Sequence, residues 1–221
     1  MWCIGKLNAE YIARMEDVLS LYEQAYDPAY PLVCFDELSK QLIQETRQPI
    51  PAGRGQLERY DYEYRRKGTA NLFVAFEPKA GKRFIDVTDR RTKQDYARQM
   101  QALVERYPEA VSIRVVHDNL NTHKPASLYE TFAPQEAKRI LDKLEFHYTP
   151  KHASWLNMAE IEINVLSSQC LDRRIPARDL LEAEVAAYQK QRNDAEAKVV
   201  WQFTCEDARA KLARHYPSLE G

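Results

Sequence analysis

Between Asn71 and Tyr148 the chain switches its hydrophobic period repeatedly, and few architectures can absorb that. Asn71 to Glu77 alternates and is rich in Phe and Val, Pro78-Lys79-Ala80-Gly81 forms a turn, and Arg83 to Thr88 runs back, so the pair reads as a β-hairpin. Thr92-Lys93-Gln94-Asp95 has the layout of a capping box with Asp in place of Glu or Gln. A helix follows it, carrying Tyr96, Met100, Leu103, Val104 and Tyr107 at helical spacing, and Pro108 closes it. The β-branched run from Ile113 to His117 reads as a buried strand ending at Asp118. Residues 125–143 are helical with a break around Pro134, and Leu144 to Tyr148 is a further strand stopped by Pro150. Leu32 to Asp36 precedes them all as the first strand. Strand, hairpin, helix, strand, helix, strand predicts an α/β protein with a mixed sheet covered by helices.

The flanks are helical. Ile12, Met15, Val18, Leu19 and Tyr22 place an amphipathic helix over residues 7–25, which Asp27-Pro28 and Pro31 end. Asn157 to Arg174 reads as a helix, Pro176 ends it, and two more follow over 178–197 and 204–215, with Trp201 and Phe203 as core anchors between them. Residues 38–70, with Pro49, Pro51, Gly53, Gly55 and Gly68, read as irregular. The expected division is a linker helix over 1–30, the α/β domain over 31–176 and a C-terminal helical extension over 177–221.

Composition narrows the function classes. No run approaches the roughly 18 apolar residues of a membrane span, and Met1-Trp2-Cys3-Ile4 runs into charge too soon for a signal peptide, which predicts a cytoplasmic protein. Cys3, Cys34, Cys170 and Cys205 form no C-x-x-C pair, so a zinc site is not expected and free thiols are. A formal net charge of −1 argues against DNA binding by overall charge. A local basic groove is compatible with it, because net charge hides distribution.

Three carboxylates stand out. Asp118 follows the strand 113–117, Asp36 follows the apolar run Leu32-Val33-Cys34-Phe35, and Glu160 lies near the start of the helix after Ser154-Trp155-Leu156-Asn157. In α/β proteins chemistry collects beyond the carboxyl ends of strands. Hard Mg²⁺ takes a few carboxylates and keeps its waters, and a pair of such ions can clamp a phosphodiester. One Asp after a strand is more often a turn former, so the combination carries the argument. Glu160 and Glu162 compete for the third place. Two residues apart is roughly 200° around a helix, so only one can face a common site. Glu160 shares its face with Asn164 and Ser167, a polar stripe, while Glu162 shares one with Leu166, which favours Glu160.

A second cluster, Arg59-Tyr60-Asp61-Tyr62-Glu63-Tyr64-Arg65-Arg66-Lys67, interleaves aromatics with cations. Such a stretch can stack on bases and pair with phosphates; a solvated hairpin edge has the same composition. Tyr62, Tyr64, Arg65, Arg66 and Lys67 are its DNA-contact candidates. Asn119 and His123, beside Asp118, are candidates either for DNA contact or for support of that acid.

Taken in order, Val33-Cys34-Phe35-Asp36-Glu37, Tyr62 to Phe73, Val87 to Thr92, Asp118-Asn119-Leu120-Asn121-Thr122-His123 and Ser154-Trp155-Leu156-Asn157-x-x-Glu160 resemble bacterial insertion-sequence transposases of the mariner-like DDE superfamily. The resemblance covers roughly residues 30–175. It implies an RNase H-like fold in which Asp36, Asp118 and Glu160 hold two Mg²⁺ ions, with Mn²⁺ as a substitute. Its Leu-Asn-x-x-Glu spacing also selects Glu160 over Glu162. It further implies DNA cleavage and strand transfer, transposon ends and target DNA as partners, a homodimer, and location with the nucleoid. Family members carry an N-terminal helix-turn-helix region, whereas Met1 stands 35 residues before Asp36. The expectation is therefore the catalytic half of a longer transposase, either a truncated reading frame or a product that works with a separate helix-turn-helix DNA-binding chain. The alternatives are a non-catalytic remnant that inhibits the full-length enzyme, and a general RNase H-like nuclease.

Overall fold

The structure, a computed structural model, describes residues 8–216. Cys3, expected as a free thiol, lies outside the described residues. Helix α1 (Ala9–Glu23) is capped by Asn8, whose side chain accepts from the Tyr11 amide. Strands β1 (Leu32–Glu45), β2 (Tyr64–Glu77) and β3 (Lys82–Thr88) form an antiparallel meander. Helix α2 (Lys93–Arg106) begins at the predicted capping box, with Thr92 and Asp95 bonding each other's backbone. Then come β4 (Ile113–His117), α3 (Ala126–Tyr129), α4 (Pro134–Leu141) and β5 (Leu144–Tyr148). Helices α5 (Met158–Leu166), α6 (Arg178–Asp194) and α7 (Cys205–Lys211) follow, with a 3-10 turn over Ala213–His215 after the last.

The five strands lie in the order β3-β2-β1-β4-β5, with β4 parallel to both β1 and β5. Period-2 alternation sorts the core into two faces. Val33, Phe35, Phe73 and Val115 pack with Tyr96, Met100 and Leu103 of α2 and with Leu128 and Ile140 of α3 and α4. Cys34, Phe76 and Val116 face the other way, onto Met15, Val18 and Leu19 of α1 and Leu156 and Ala159 around the start of α5. Farther along the same sheet, Leu72 and Val74 meet Leu166, Leu181 and Val185 of α5 and α6. This is the mixed sheet flanked by helices that the sequence predicts, and it matches an RNase H-like architecture. No helix among the described residues is long and apolar enough to cross a membrane.

Three expectations fail. Asp36 is not at a strand end: β1 runs on to Glu45. The stretch 38–70 supplies the rest of β1 and the first residues of β2 rather than being irregular throughout. That extension is a two-stranded ribbon, paired from Leu38–Leu72 to Glu45–Tyr64 with a bulge between Gln41 and Ile43. Its outer end gains little from apolar alternation, so the hydrophobic period that signals a strand is missing. The helix expected over 157–174 ends sooner. α5 passes into one wide π-type turn over Ser167–Leu171, and Asn157 is its cap rather than its first residue.

Candidate active site

The parallel pairing of β1 with β4 stops at Cys34–Val116. Beyond that point β1 keeps only β2, β4 gives way to a loop, and Asp36 and Asp118 stand on either side of the gap. Asp36 shares its face of β1 with Cys34, the face on which α5 is packed. Glu160, in the first turn of α5, lies near enough for its charge to act on Asp36 and for that of Asp118 to act on it.

Asn157 ties these pieces together. Its Oδ1 accepts from the Ala159 amide at 3.1 Å, capping α5, while its Nδ2 donates to Phe35 O at 2.9 Å and Asp36 Oδ2 at 3.1 Å. One side chain therefore starts the helix that bears Glu160 and fixes that helix against the strand that bears Asp36. Tyr22 of α1 secures the same junction by donating to Leu156 O at 2.6 Å. Asp36 Oδ1 accepts from the Glu37 amide at 2.8 Å.

The electrostatics register the convergence. Burial pushes the Asp36 carboxyl up, and the charges of Glu160, Glu37 and Asp118 push it further, to about 7, against the single lowering effect of the Glu37 amide. Burial and the charge of Asp118 also raise Glu160. Carboxylates crowded into a half-buried pocket without a cation repel each other. An all-oxygen donor set that is repulsive when empty suits a hard divalent cation, so these residues fit Mg²⁺ or Mn²⁺.

Glu162 lies elsewhere. It is fully buried, forms an ion pair with Arg83 Nε at 3.0 Å, accepts from Tyr188 Oη at 2.7 Å, and meets Arg192 at 3.3 Å. It joins α5 to β3 and α6 and has no carboxylate neighbour of the cluster among these partners.

Around Asp118 the Nδ1 atoms of both histidines are engaged, while His117 Nε2 is buried without a hydrogen-bond partner among the described residues. His117, Asp118 and His123 bring possible ligand atoms within 4.8 Å of one another. However, His117 Nδ1 lies 2.7 Å from Asp118 O, and His123 Nδ1 lies 2.6 Å from Asp118 Oδ1. Burial holds the His117 imidazole down at about 4. Burial would lower His123 too, but its contacts with Asp118 and Glu37 and their charges lift it to about 9. Asp118 is thus hydrogen-bonded to both histidines through their Nδ1 atoms. His123 is buried beside Asp118, which favours the second of its two expected roles, support of that acid, over DNA contact; Asn119 is exposed in the same loop.

The basic aromatic stretch becomes the outer ribbon, with Tyr62, Tyr64, Arg65, Arg66 and Lys67 exposed. The Arg174 guanidinium lies over Tyr60 at 5.2 Å and Tyr64 at 5.3 Å, so Tyr64 is partly engaged. Two residues that sequence reasoning passed over matter here. Glu37 was visible only as the neighbour of Asp36, and Asn157 only as a letter in the Leu-Asn-x-x-Glu motif.

A family model described as DDE superfamily endonuclease matches residues 31–182. Among solved structures the chain is similar to the Mos1 mariner paired end complex with Mn (TM-score 0.64, 15% identity, 97% of this chain and 65% of that one). It is similar also to a pre-cleavage Mos1 transpososome (TM-score 0.63, 15% identity, 100% and 67%) and to the Mos1 paired end complex with Mg (TM-score 0.60, 16% identity, 100% and 66%). At such identities the likeness is one of fold. The chain thus spans about two thirds of the length of those proteins. No curated protein matches it.

Proposed function

The chain belongs to the DDE superfamily endonuclease family, and from that membership we propose that it is the catalytic part of an insertion-sequence transposase, cutting DNA at an element's ends and joining them to a target. What supports the reading is that Asn157 ties Asp36 to the start of the helix bearing Glu160, with the charges of Glu160 and Asp118 adding to burial in raising Asp36. On this reading residues 31–176 form the catalytic domain, flanked by α1 and by the helices after Pro176, and two copies act together on DNA.

Asp36, Asp118 and Glu160 would hold two divalent ions. Held by these residues, a metal pair would supply activation of the attacking oxygen and charge neutralisation at the leaving oxygen of a phosphodiester. The chain's own task is placement. Asn157 holds Asp36 and the start of α5 in one register, and the amide of Glu37 orients the other Asp36 oxygen. Positioning reacting groups in this way accounts for much of phosphoryl-transfer catalysis. Arg65, Arg66 and Lys67 on the exposed ribbon are suited to backbone phosphates, with Tyr62 available to stack on a base. The Mn- and Mg-containing Mos1 complexes support the choice of metal.

The test is a calorimetric Mn²⁺ titration of the chain and of Asp118→Ala, with and without DNA, followed by nicking and strand-transfer assays. Saturable binding in the parent alone, with nicking and joining, is the expected result. Nicking without joining would identify a general nuclease instead. Absence of Mn²⁺ binding even with DNA would refute the metal site.

A further inference from the structure

Asp118 has a structural problem that Asp36 and Glu160 do not share. Asp36 sits in a strand and Glu160 in a helix, whereas Asp118 opens an irregular loop that runs to Pro125. A loop carboxylate has no ladder or helical turn to hold it, and an acid that must meet two others needs a fixed orientation.

Glu37 and His123 fill that gap. Glu37 follows Asp36 in β1, so its side chain falls on the opposite face of the sheet. There its carboxylate is only 5% exposed, and Oε2 lies 3.0 Å from His123 Nε2. The contact is an ion-pair approach rather than an aligned hydrogen bond, and neither of these two buried atoms has a hydrogen-bond partner among the described residues. The other ring nitrogen of His123 contacts Asp118 Oδ1 at 2.6 Å. An aromatic box fixes the imidazole, with ring centroids at 4.8 Å from Tyr96, 5.3 Å from His117 and 5.8 Å from Phe35. The loop closes on itself through His123 N to Leu120 O at 3.0 Å and Leu120 N to Asp118 Oδ1 at 3.3 Å. Oδ1 thus receives both contacts, and Oδ2 receives none among the described residues.

We propose that Glu37 and His123 are positioning residues for Asp118, forming a Glu37–His123–Asp118 bridge that grips Oδ1 from the far face of the sheet and leaves Oδ2 for the acid cluster. A buried carboxylate is costly unless it is paired, and the bridge gives Glu37 a reason to be there. It also links Asp36 and Asp118 mechanically, since Glu37 is covalently next to the first and anchors the second. Partners that orient a ligand set its affinity as surely as the ligand itself. The proposal rests on the metal-site reading for its consequence, but not for its geometry.

The experiment uses the whole chain and four variants: His123→Ala, His123→Asn, Glu37→Gln and Glu37→Ala/His123→Ala. Asn at 123 can keep the donor to Asp118 but cannot reach Glu37. Two readouts are taken: the Asp118 side-chain conformer in metal-free crystals, and Mn²⁺ affinity by calorimetry with duplex DNA present, beside DNA affinity. One Asp118 conformer is expected in the parent and in His123→Asn, and a displaced or multiple one in His123→Ala. Mn²⁺ affinity should fall about 10–100-fold in His123→Ala, with DNA affinity unchanged, and recover most of the way in His123→Asn. The double variant should be no worse than His123→Ala, because both residues act through one contact. If His123→Ala does not fold, His123→Asn and Glu37→Gln supply the comparison, with a smaller loss in each. An unmoved Asp118 in His123→Ala, or equal loss in the Asn and Ala variants, overturns the bridge. A parent that binds no Mn²⁺ with DNA overturns the metal reading instead, while the crystals still decide the bridge.

Discussion

Replacing Asp36 with Asn should make the metal-free protein more stable at alkaline pH while removing a ligand of the proposed metal site. The Asp36 carboxyl moves from an ordinary 3.8 to about 7 on folding, first through burial and then through neighbouring charges. Such a rise corresponds to about 4 kcal/mol against the charged form. The folded chain therefore holds more protons than the unfolded one between these values. Stability is lost as pH rises through that window, and the whole penalty is in place above about 7. The amide introduced by Asp36→Asn carries no charge but cannot accept from both the Glu37 amide and Asn157, so one hydrogen bond is lost, at about 1 kcal/mol. The net expectation is a gain of about 3 kcal/mol at pH 8 and little or no gain near pH 4. Urea denaturation of both proteins with chelator, from about pH 4 to about pH 8.5, measures it across the titration window. Adding Mn²⁺ should stabilise the parent more at pH 8 than at about pH 6 and leave the variant unchanged. A variant no more stable than the parent at pH 8, or a difference that does not change with pH, would refute the claim that Asp36 is held in a repulsive acid cluster.

Other perturbations separate architecture from chemistry. Glu162→Gln leaves Arg83 buried beside a neutral partner and should cost about 3 kcal/mol in chemical denaturation, whereas Glu160→Gln should cost little and instead remove Mn²⁺ binding; the reverse pattern would reassign the third acid. Asn157→Ala removes the cap of α5 and the tether to Asp36, and should cost about 1–2 kcal/mol by thermal denaturation while weakening Mn²⁺ binding. Gly81 has φ +69°, and a Cβ there would lie 2.5 Å from the Glu196 backbone, so Gly81→Ala should lower stability by about 2 kcal/mol or more in urea and loosen the end of α6. Arg66→Ala on the outer ribbon should reduce the slope of log affinity for DNA against log salt by about 1 in a fluorescence titration, with Mn²⁺ binding unaffected.

The sequence by itself determined the element order around the sheet, because each element announces itself locally. β4 is a β-branched run, α2 opens on Thr92 and Asp95, and β2 and β3 flank a turn at Pro78–Gly81. Those signals need only neighbours in the chain. It also brought out the three acids, through their places after apolar runs and near a helix start, and the helical period separated Glu160 from Glu162. Other features had no local signal. The outer half of β1 is stabilised by pairing with β2 and not by an apolar face, so its residues look like a loop until the partner strand is present. The wide turn that ends α5 lies between Leu166 and Leu171, which pack in one cluster with residues of β2 and α6 far away in the chain. Above all, the bridge from Glu37 to Asp118 joins residues on opposite sides of one strand gap. It exists only because β4 ends where β1 continues, which puts a loop histidine beneath a strand carboxylate. The rise of Asp36 to about 7 is likewise a product of the fold, first through burial and then through the charges of Glu160, Glu37 and Asp118. Charge repulsion falls with distance in space and is blind to distance along the chain, so only the folded sheet could bring those acids close enough to feel one another.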